Sequence, residues 1–258
     1  MDNFIGEFTK RCKVEVLKYG FRQKKNVFGR IVDDVYQNFY IEKLRLTPDE
    51  RRCRVGFAVV PLCQRLTENQ ISDGMGIYYL RKFEVSHWMD GDGWRYKVSS
   101  EDISVCVDEI ISFINKYLLP FFERANSCKT ALPEAIALEK LFNETRKESL
   151  RQNGMEDKAG SYVDLNLLDS AKYYMALKSG DFDFALKSRM ALLQQNVDSY
   201  NSMKERGYLT EEDRMRREKK LAVLRSEISK IEGRDETYIQ QLIIKNEEYS
   251  RECLQNIM

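Results

Sequence analysis

The spacing of apolar residues changes for the rest of the chain near residue 99, and that change restricts the fold more than any other feature of the sequence. In several runs between residues 27 and 98, apolar residues recur at every second position, as in strands that bury one face. From residue 99 onward they recur every three to four positions, as in amphipathic helices. The sequence therefore predicts an α+β domain with an antiparallel sheet over residues 1–126 and an all-α helical domain, ending in a long helix, over residues 127–258. Residues 123–133 are the expected linker.

Short turns separate the predicted strands, so we expect them to pair as an antiparallel meander. The pair Asp33-Asp34 lies between two β-rich runs and predicts a hairpin turn. A helix before the strands is expected to end at Gly20, and a helix after them is expected to begin behind Ser99 and to end at Pro120. Both helices carry an apolar stripe, which predicts that they flank the sheet on one face.

The second half of the chain contains helix signals only. Gly180 and Asp181 interrupt a long helical pattern and predict a helical hairpin, and Thr210 with Asp213 forms a capping-box pattern at the start of the last segment. Apolar residues of that segment follow heptad spacing, interrupted at Gly233. They are Leu221, Leu224, Ile228, Ile231, Tyr238 and Leu242. We expect this stripe to pack against the other helices; a homodimer formed through the C-terminal helix is the alternative.

Charge and cysteine usage restrict the function classes. The 42 basic and 41 acidic residues leave a net charge of +1, which gives no general attraction to nucleic acid. Six scattered cysteines and one histidine do not form a zinc-site spacing, and no cofactor motif is present. The N-terminus lacks the apolar core of a secretory signal, and the apolar runs are too short to span a bilayer. We therefore expect a reduced, cytoplasmic protein without a membrane partner.

The stretch HWMDGDGWRY contains the one histidine and both tryptophans of the chain. An EF-hand that began at Asp90 would need an oxygen ligand where Trp94 stands and a glycine where Arg95 stands, so the calcium pattern fails. Asp-Gly pairs between β-rich runs are typical of hairpins. We expect a hairpin with Asp90 to Gly93 at the turn, and with Trp88 and Trp94 on the flanking strands.

No assembled catalytic pattern is found in the sequence. His87 is the one histidine that a nucleophilic triad could use, and the sequence contains neither a nucleophile elbow nor a phosphate loop. Acidic residues are plentiful, but nothing singles out a catalytic pair. An enzyme of hydrolase type therefore stays an alternative, with carboxylates and an arginine such as Arg30 or Arg54 converging on the sheet.

A helix that ends in Gly-Phe is followed by a basic Lys-Lys-Asn segment, an aromatic residue, an arginine and a strand. This run resembles a bacterial domain-of-unknown-function family, the one numbered 4304. The matching positions are Gly20, Phe21, Lys24, Lys25, Asn26, Phe28 and Arg30. The runs RVGFAVVPLC and IISFINKYLLPFF extend the resemblance over about the first half of the chain. The family has no assigned reaction, and the resemblance implies an immunity-type or other protein-binding role.

The function that we expect is a non-enzymatic protein-interaction module whose partner is another protein. The residues that we expect at the partner-binding surface are Trp88, Trp94, Arg30 and Tyr36. The aromatic side chains of the sheet would also suit base stacking, which leaves a nucleic-acid-binding protein as a less favoured alternative. The intermixed charges argue against it.

Overall fold

The computed structural model describes residues 3–66, 75–76, 89–90, 93–161 and 169–257. An antiparallel sheet with flanking helices comes first, and a run of helices follows it. This arrangement confirms the predicted fold class, an α+β part followed by an all-α part. None of the helices in these ranges has both the length and the apolar composition that crossing a membrane requires.

The sheet is built from strands that follow one another closely in the sequence. The described strands are β1 (Arg22–Lys24), β2 (Val27–Val32), β3 (Val35–Arg45), β4 (Glu50–Pro61), β5 (Met75–Gly76), β6 (Met89–Asp90) and β7 (Gly93–Lys97). Their order in the sheet is β1-β2-β3-β4-β7-β6, and β5 pairs with β4 beside this path. All of these pairings are antiparallel, and β1 to β4 form the predicted meander.

Two predicted hairpins are confirmed by the pairing registers. Val32 pairs with Val35, so Asp33 and Asp34 form the turn between β2 and β3. Asp33 has a φ of 51°, a conformation that aspartate tolerates better than most residues. In the second hairpin, β6 and β7 pair with Asp90 opposite Gly93. Gly91, Asp92, His87 and Trp88 lie outside the described residues.

One helix precedes the sheet, and helices make up most of the described chain after it. They are α1 (Phe4–Val16), α2 (Ser100–Phe113), α3 (Leu119–Arg124), α4 (Cys128–Gln152), α5 (Glu156–Gly160), α6 (Asp169–Ser179), α7 (Phe182–Glu205), α8 (Glu211–Glu232) and α9 (Glu236–Ile257). The predicted break at Gly180 and the capping box at Thr210 are both present, the latter with hydrogen bonds in both directions between Thr210 and Asp213. Leu221 and Leu224 of the apolar stripe are buried, so the stripe packs inside the chain as expected.

Helices α1 and α2 cover one face of the sheet. The buried positions of α1 are Phe4, Phe8, Cys12 and Val16, at the spacing of one helical face. The Phe4 ring stacks on Tyr96 of β7 with the centroids 4.6 Å apart, and Phe8 meets Phe28 of β2 edge to face at 6.2 Å. A 3-10 turn at Leu17–Tyr19 and Gly20, at a φ of 82°, end this helix where the sequence predicts.

Pro120 does not end the second helical segment, and the expectation that it would was wrong. Residues Ile114–Leu118 form a π turn after α2, and α3 continues the helical path to Arg124. Proline lacks the N–H that a helix interior needs and clashes with the carbonyl four residues before it. The π turn widens the backbone at that point, with Leu119 N–H donating to the Ile114 carbonyl five residues back. The proline is thus accommodated in the first turn of α3.

Within the linker expected over residues 123–133, residues 125–127 separate two helices, and the rest of the range is helical. Helix α4 begins at Cys128, is capped by Ser127 and holds Pro133 within its first turns. The N–H of Cys128 donates to the Asp34 carboxylate at 2.7 Å, which fixes the start of α4 to the β2–β3 hairpin. One hydrophobic cluster consequently continues from Phe4 to Ile239 through both halves of the chain.

The last helix returns to the sheet. Asn246 of α9 donates to the carbonyl of Cys63 at 2.8 Å, and the Ser250 hydroxyl accepts from the N–H of Leu66 at 2.9 Å. Leu254 is fully buried against Tyr36 and its apolar neighbours, on the face of the sheet opposite α1 and α2. Helix α9 therefore covers part of the second face.

Candidate functional site

Strand β3 has two neighbours along its first half and one along its second half. Its register with β2 stops where Tyr40 meets Val27, whereas its register with β4 continues until Arg45 meets Arg51. In the described part of the chain, no strand pairs with the outer edge of β3 beyond Tyr40. Strand β2 cannot reach further along β3, because it begins directly after the turn at Lys25. The φ of 55° at Lys25 reverses the chain between β1 and β2.

At the start of this second half, the outward main-chain groups of Ile41 are both paired with Asn26. The N–H of Ile41 donates to the Asn26 carbonyl at 3.2 Å, and the Asn26 side-chain amide donates to the Ile41 carbonyl at 2.7 Å. Successive residues of a strand direct these groups to alternate sides. The N–H and the C=O of Arg45 therefore point to the same outer side as those of Ile41.

A groove lies between this strand edge and α1. Its volume is about 870 Å³, and it is open to solvent along one side. Residues of α1, the β1–β2 turn and β3 line it: Ile5, Gly6, Thr9, Lys10, Lys25, Asn26, Ile41, Glu42, Lys43 and Leu44. Leu44 keeps 45% of its surface exposed. The groove thus combines an apolar lining with a strand edge.

The charge of the groove is positive. Lys10 and Lys25 are exposed on its rim, and neither has an ion-pair partner among the residues that the structure describes. Glu42 is the acidic residue of the lining, and its carboxylate forms an ion pair with Arg54 at 2.8 Å. Because Arg54 neutralises Glu42, the lysines determine the sign of the local potential.

Arg30 belongs to a buried network rather than to a partner-binding surface. Its side chain is 9% exposed and donates to the Gln37 amide oxygen at 2.7 Å, to the Tyr19 carbonyl at 2.7 Å and to the Glu123 carboxylate at 2.8 Å. The guanidinium also lies 4.7 Å from the ring centroid of Phe21. These contacts join β2 to the end of α1 and to α3. The surface role expected for Arg30 is therefore corrected to a structural one.

Trp94 and Tyr36 are core residues, which corrects the surface position expected for each. Trp94 is fully buried on the helix-covered face, where its ring meets Phe113 of α2 at 5.5 Å. Tyr36 is 1% exposed on the other face and packs against Leu254. Its ring lies over Gly29, where any Cβ atom would overlap it. Burial raises the pKa of the Tyr36 phenol. Trp88 lies outside the described residues, so its expected role stays a prediction.

The two arginines considered for the enzymatic alternative, Arg30 and Arg54, lie on opposite faces of the sheet. Arg30 pairs across the sheet with Gln37, on the face toward α1, whereas Arg54 pairs with Glu42, on the opposite face. Arg30 forms an ion pair with Glu123, and Arg54 forms one with Glu42. The described residues hold no group of three or more histidine, cysteine or acidic side chains that could bind a metal ion.

Comparison of the chain with protein-family models, with curated proteins and with solved structures gives no match. The resemblance to family 4304 therefore stays a prediction. Several residues that carry its pattern have structural roles here: Gly20 ends the first helical segment, Asn26 holds the β2–β3 edge, and Arg30 links three elements.

The sequence contained one signal for the groove that pattern reasoning did not use. Strand β2 has 6 residues and β3 has 11, although a tight hairpin joins them. A hairpin of unequal strands leaves the longer one without that neighbour at its far end. The position of Lys10 on the opposite wall of the groove could not be predicted in this way, because only the packing of α1 brings it near β3.

Proposed function

We propose that this chain is a non-enzymatic protein-interaction module that binds its partner in the groove between α1 and β3. The observation that carries the proposal is the outer edge of β3 beside an open, partly apolar groove. Strand edges of this kind bind partners through main-chain hydrogen bonds, while adjoining pockets select side chains. We assign partner binding to this groove rather than to the residues expected from the sequence, because three of those residues, Trp94, Arg30 and Tyr36, are buried.

A site-specific cross-linking experiment tests this function. Benzoylphenylalanine in place of Leu44, inside the groove, is compared with the same residue in place of Val223 on α8, which is 60% exposed. Both variants are irradiated in an extract of the cells that make the protein. We expect a discrete cross-linked protein at position 44 and none at position 223.

Binding of the purified cross-linked partner then decides whether the groove is the site. We expect Leu44→Asp to weaken binding about tenfold, because a carboxylate replaces an apolar contact in the groove. Val223→Asp places the same charge on an exposed apolar position elsewhere and is expected to leave the affinity unchanged. Equal binding by wild type and Leu44→Asp, or equal cross-linking at both positions, would overturn the proposal.

A further inference from the structure

We propose that the ligand of this groove is an extended acidic peptide segment that adds to the sheet as a strand beyond Ile41, where it pairs with Arg45 of β3. The inference rests on the proposed function and specifies its partner chemistry. The added segment would occupy the position that β2 vacates when the chain turns back at Lys25.

The strand geometry favours an extended peptide over a helix. Neighbouring strands lie about 4.8 Å apart, and residues 42–45 extend over about 13 Å at the usual rise of a strand. Arg45 directs its main-chain N–H and C=O to the open side, where a second strand would meet both. A helix has no main-chain groups to offer in return, because its own turns use them. The exposed edge thus selects for the extended conformation.

The charge of the groove selects the side chains. Lys10 and Lys25 stand on the rim, and Glu42 is neutralised by Arg54. A peptide with carboxylates gains attraction to both lysines, whereas a basic peptide is repelled. A second copy of this chain is disfavoured by the same physics, because edge-to-edge pairing of β3 with its equivalent would bring the lysines of the two copies together.

The lining selects a second feature of the ligand. Side chains of an added strand alternate between the two faces of the sheet. One face looks toward α1, where Ile5 is partly buried, and the other carries Leu44, which keeps 45% of its surface exposed. A carboxylate on the side toward α1 would meet Lys10, and an apolar side chain on the other side would cover Leu44. We therefore expect a segment in which apolar and acidic residues alternate.

Fluorescence polarisation with synthetic peptides tests this ligand chemistry. The probe is a labelled peptide of about nine residues that alternates valine and glutamate, a length within the usual range of strands. The matched control alternates valine and lysine. We expect the acidic peptide to bind the full chain at least about tenfold more tightly, since two lysine–carboxylate pairs each contribute a few-fold in affinity.

Charge reversal in the protein locates the binding. The double variant Lys10→Glu/Lys25→Glu is expected to weaken the acidic peptide at least about tenfold by the same reasoning. Lys187→Glu, an equal charge change at an exposed position of α7, is expected to leave the affinity unchanged. Urea unfolding of all variants verifies that the fold is retained. Equal affinity of the acidic and basic peptides, or equal affinity of the double variant and wild type, would overturn the acidic preference.

Amide hydrogen exchange tests strand addition separately from charge. With saturating acidic peptide, we expect the N–H of Arg45 to exchange at least about tenfold more slowly, because it donates to the added strand. An acidic peptide with N-methylated alternate residues keeps its charge, cannot pair fully and should not give this protection. If Arg45 is unprotected by the bound peptide, strand addition is wrong.

Two further results separate this inference from the proposed function. If the chain alone sediments as a dimer that already protects Arg45, the occupant is a second copy and the acidic-peptide proposal is overturned. If the partner cross-linked at position 44 binds wild type and the Lys10→Glu/Lys25→Glu variant equally, the interaction function stands while the ligand chemistry fails. If Leu44→Asp does not weaken binding of the cross-linked partner, the proposed function is overturned instead.

Discussion

The two halves of strand β3 have the same backbone conformation and opposite surroundings. Val35–Tyr40 has a strand on each side, and every residue in it is buried. Ile41–Arg45 has β4 on one side, and exposure rises along it until its last three residues are exposed. The neighbours therefore determine whether a stretch of strand contributes to stability or remains available for binding. The closed half of β3 holds the fold, and the open half borders the groove.

Truncation of one apolar side chain in each half should give the largest contrast. Phe39 is fully buried and stacks on Phe28 with the ring centroids 4.9 Å apart. Phe39→Ala is expected to lower the free energy of unfolding by about 4 kcal/mol, because it removes a large apolar contact and leaves a cavity. Leu44→Ala in the open half should cost less than about 1 kcal/mol. Urea unfolding of both variants measures the difference, and similar losses would refute the division of β3.

Replacing an arginine beside the closed half and one within the open half should give nearly as large a difference in the free energy of unfolding. Arg30→Ala leaves the Gln37 oxygen and the Tyr19 carbonyl without their donor and is expected to cost about 3 kcal/mol. Arg45 is exposed at the end of the open half, and Arg45→Ala should change the free energy of unfolding by less than about 0.5 kcal/mol. The same unfolding measurement applies. A small loss for Arg30→Ala would mean that its network contributes little.

Replacing two adjacent amide side chains of the closed half by leucine should change the free energy of unfolding in opposite directions. Gln37 donates to the carbonyls of Phe122 and Ala125 at 2.6 and 2.9 Å, so Gln37→Leu is expected to destabilise by about 2 kcal/mol. Asn38 is fully buried on the other face, and its amide atoms have no hydrogen-bond partner in the described part of the chain. Asn38→Leu should stabilise by about 1 kcal/mol, since it removes an unsatisfied polar group. Thermal unfolding compares the two, and equal signs would contradict this account.

The smallest effect should appear without any change in stability. Phe39 and Arg45 both direct their main-chain N–H away from β4, but only Phe39 meets β2 there. In the unliganded protein, the N–H of Arg45 is expected to exchange with solvent at least about 100-fold faster than that of Phe39. Residue-resolved hydrogen exchange by NMR measures both rates. Comparable protection would show that the outer edge is covered along its whole length.

Local sequence signals were sufficient for much of this fold. Gly20, the Asp33-Asp34 pair, Gly180 and the Thr210 capping box each act within a few residues, and each lies where the sequence predicts. Contacts between segments that are distant in the sequence could not be predicted from these local signals. The burial of Arg30 depends on Glu123 of α3, 93 residues away in the sequence. Its charge indicated a surface position, because arginine is rarely buried without a partner, and no local pattern revealed that partner.

The candidate site was predicted less well, for the same physical reason. The two tryptophans marked a hairpin that exists, but Trp94 points to the face that α2 covers. Alternation along a strand gives two faces and does not say which one a later helix will bury. The groove needs both the shape of the β2–β3 hairpin and the placement of α1, and only the first of these is visible in the sequence.

The docking of α9 has a consequence for the order in which the protein is completed. The Ser250–Leu66 hydrogen bond joins residues 184 positions apart, and Leu254 covers Tyr36. During synthesis, the part of the second face that Leu254 covers therefore stays uncovered until α9 has left the ribosome. The groove is lined by residues between Ile5 and Leu44. The segments that would recognise a partner are thus made early, well before the helix that closes the core behind them.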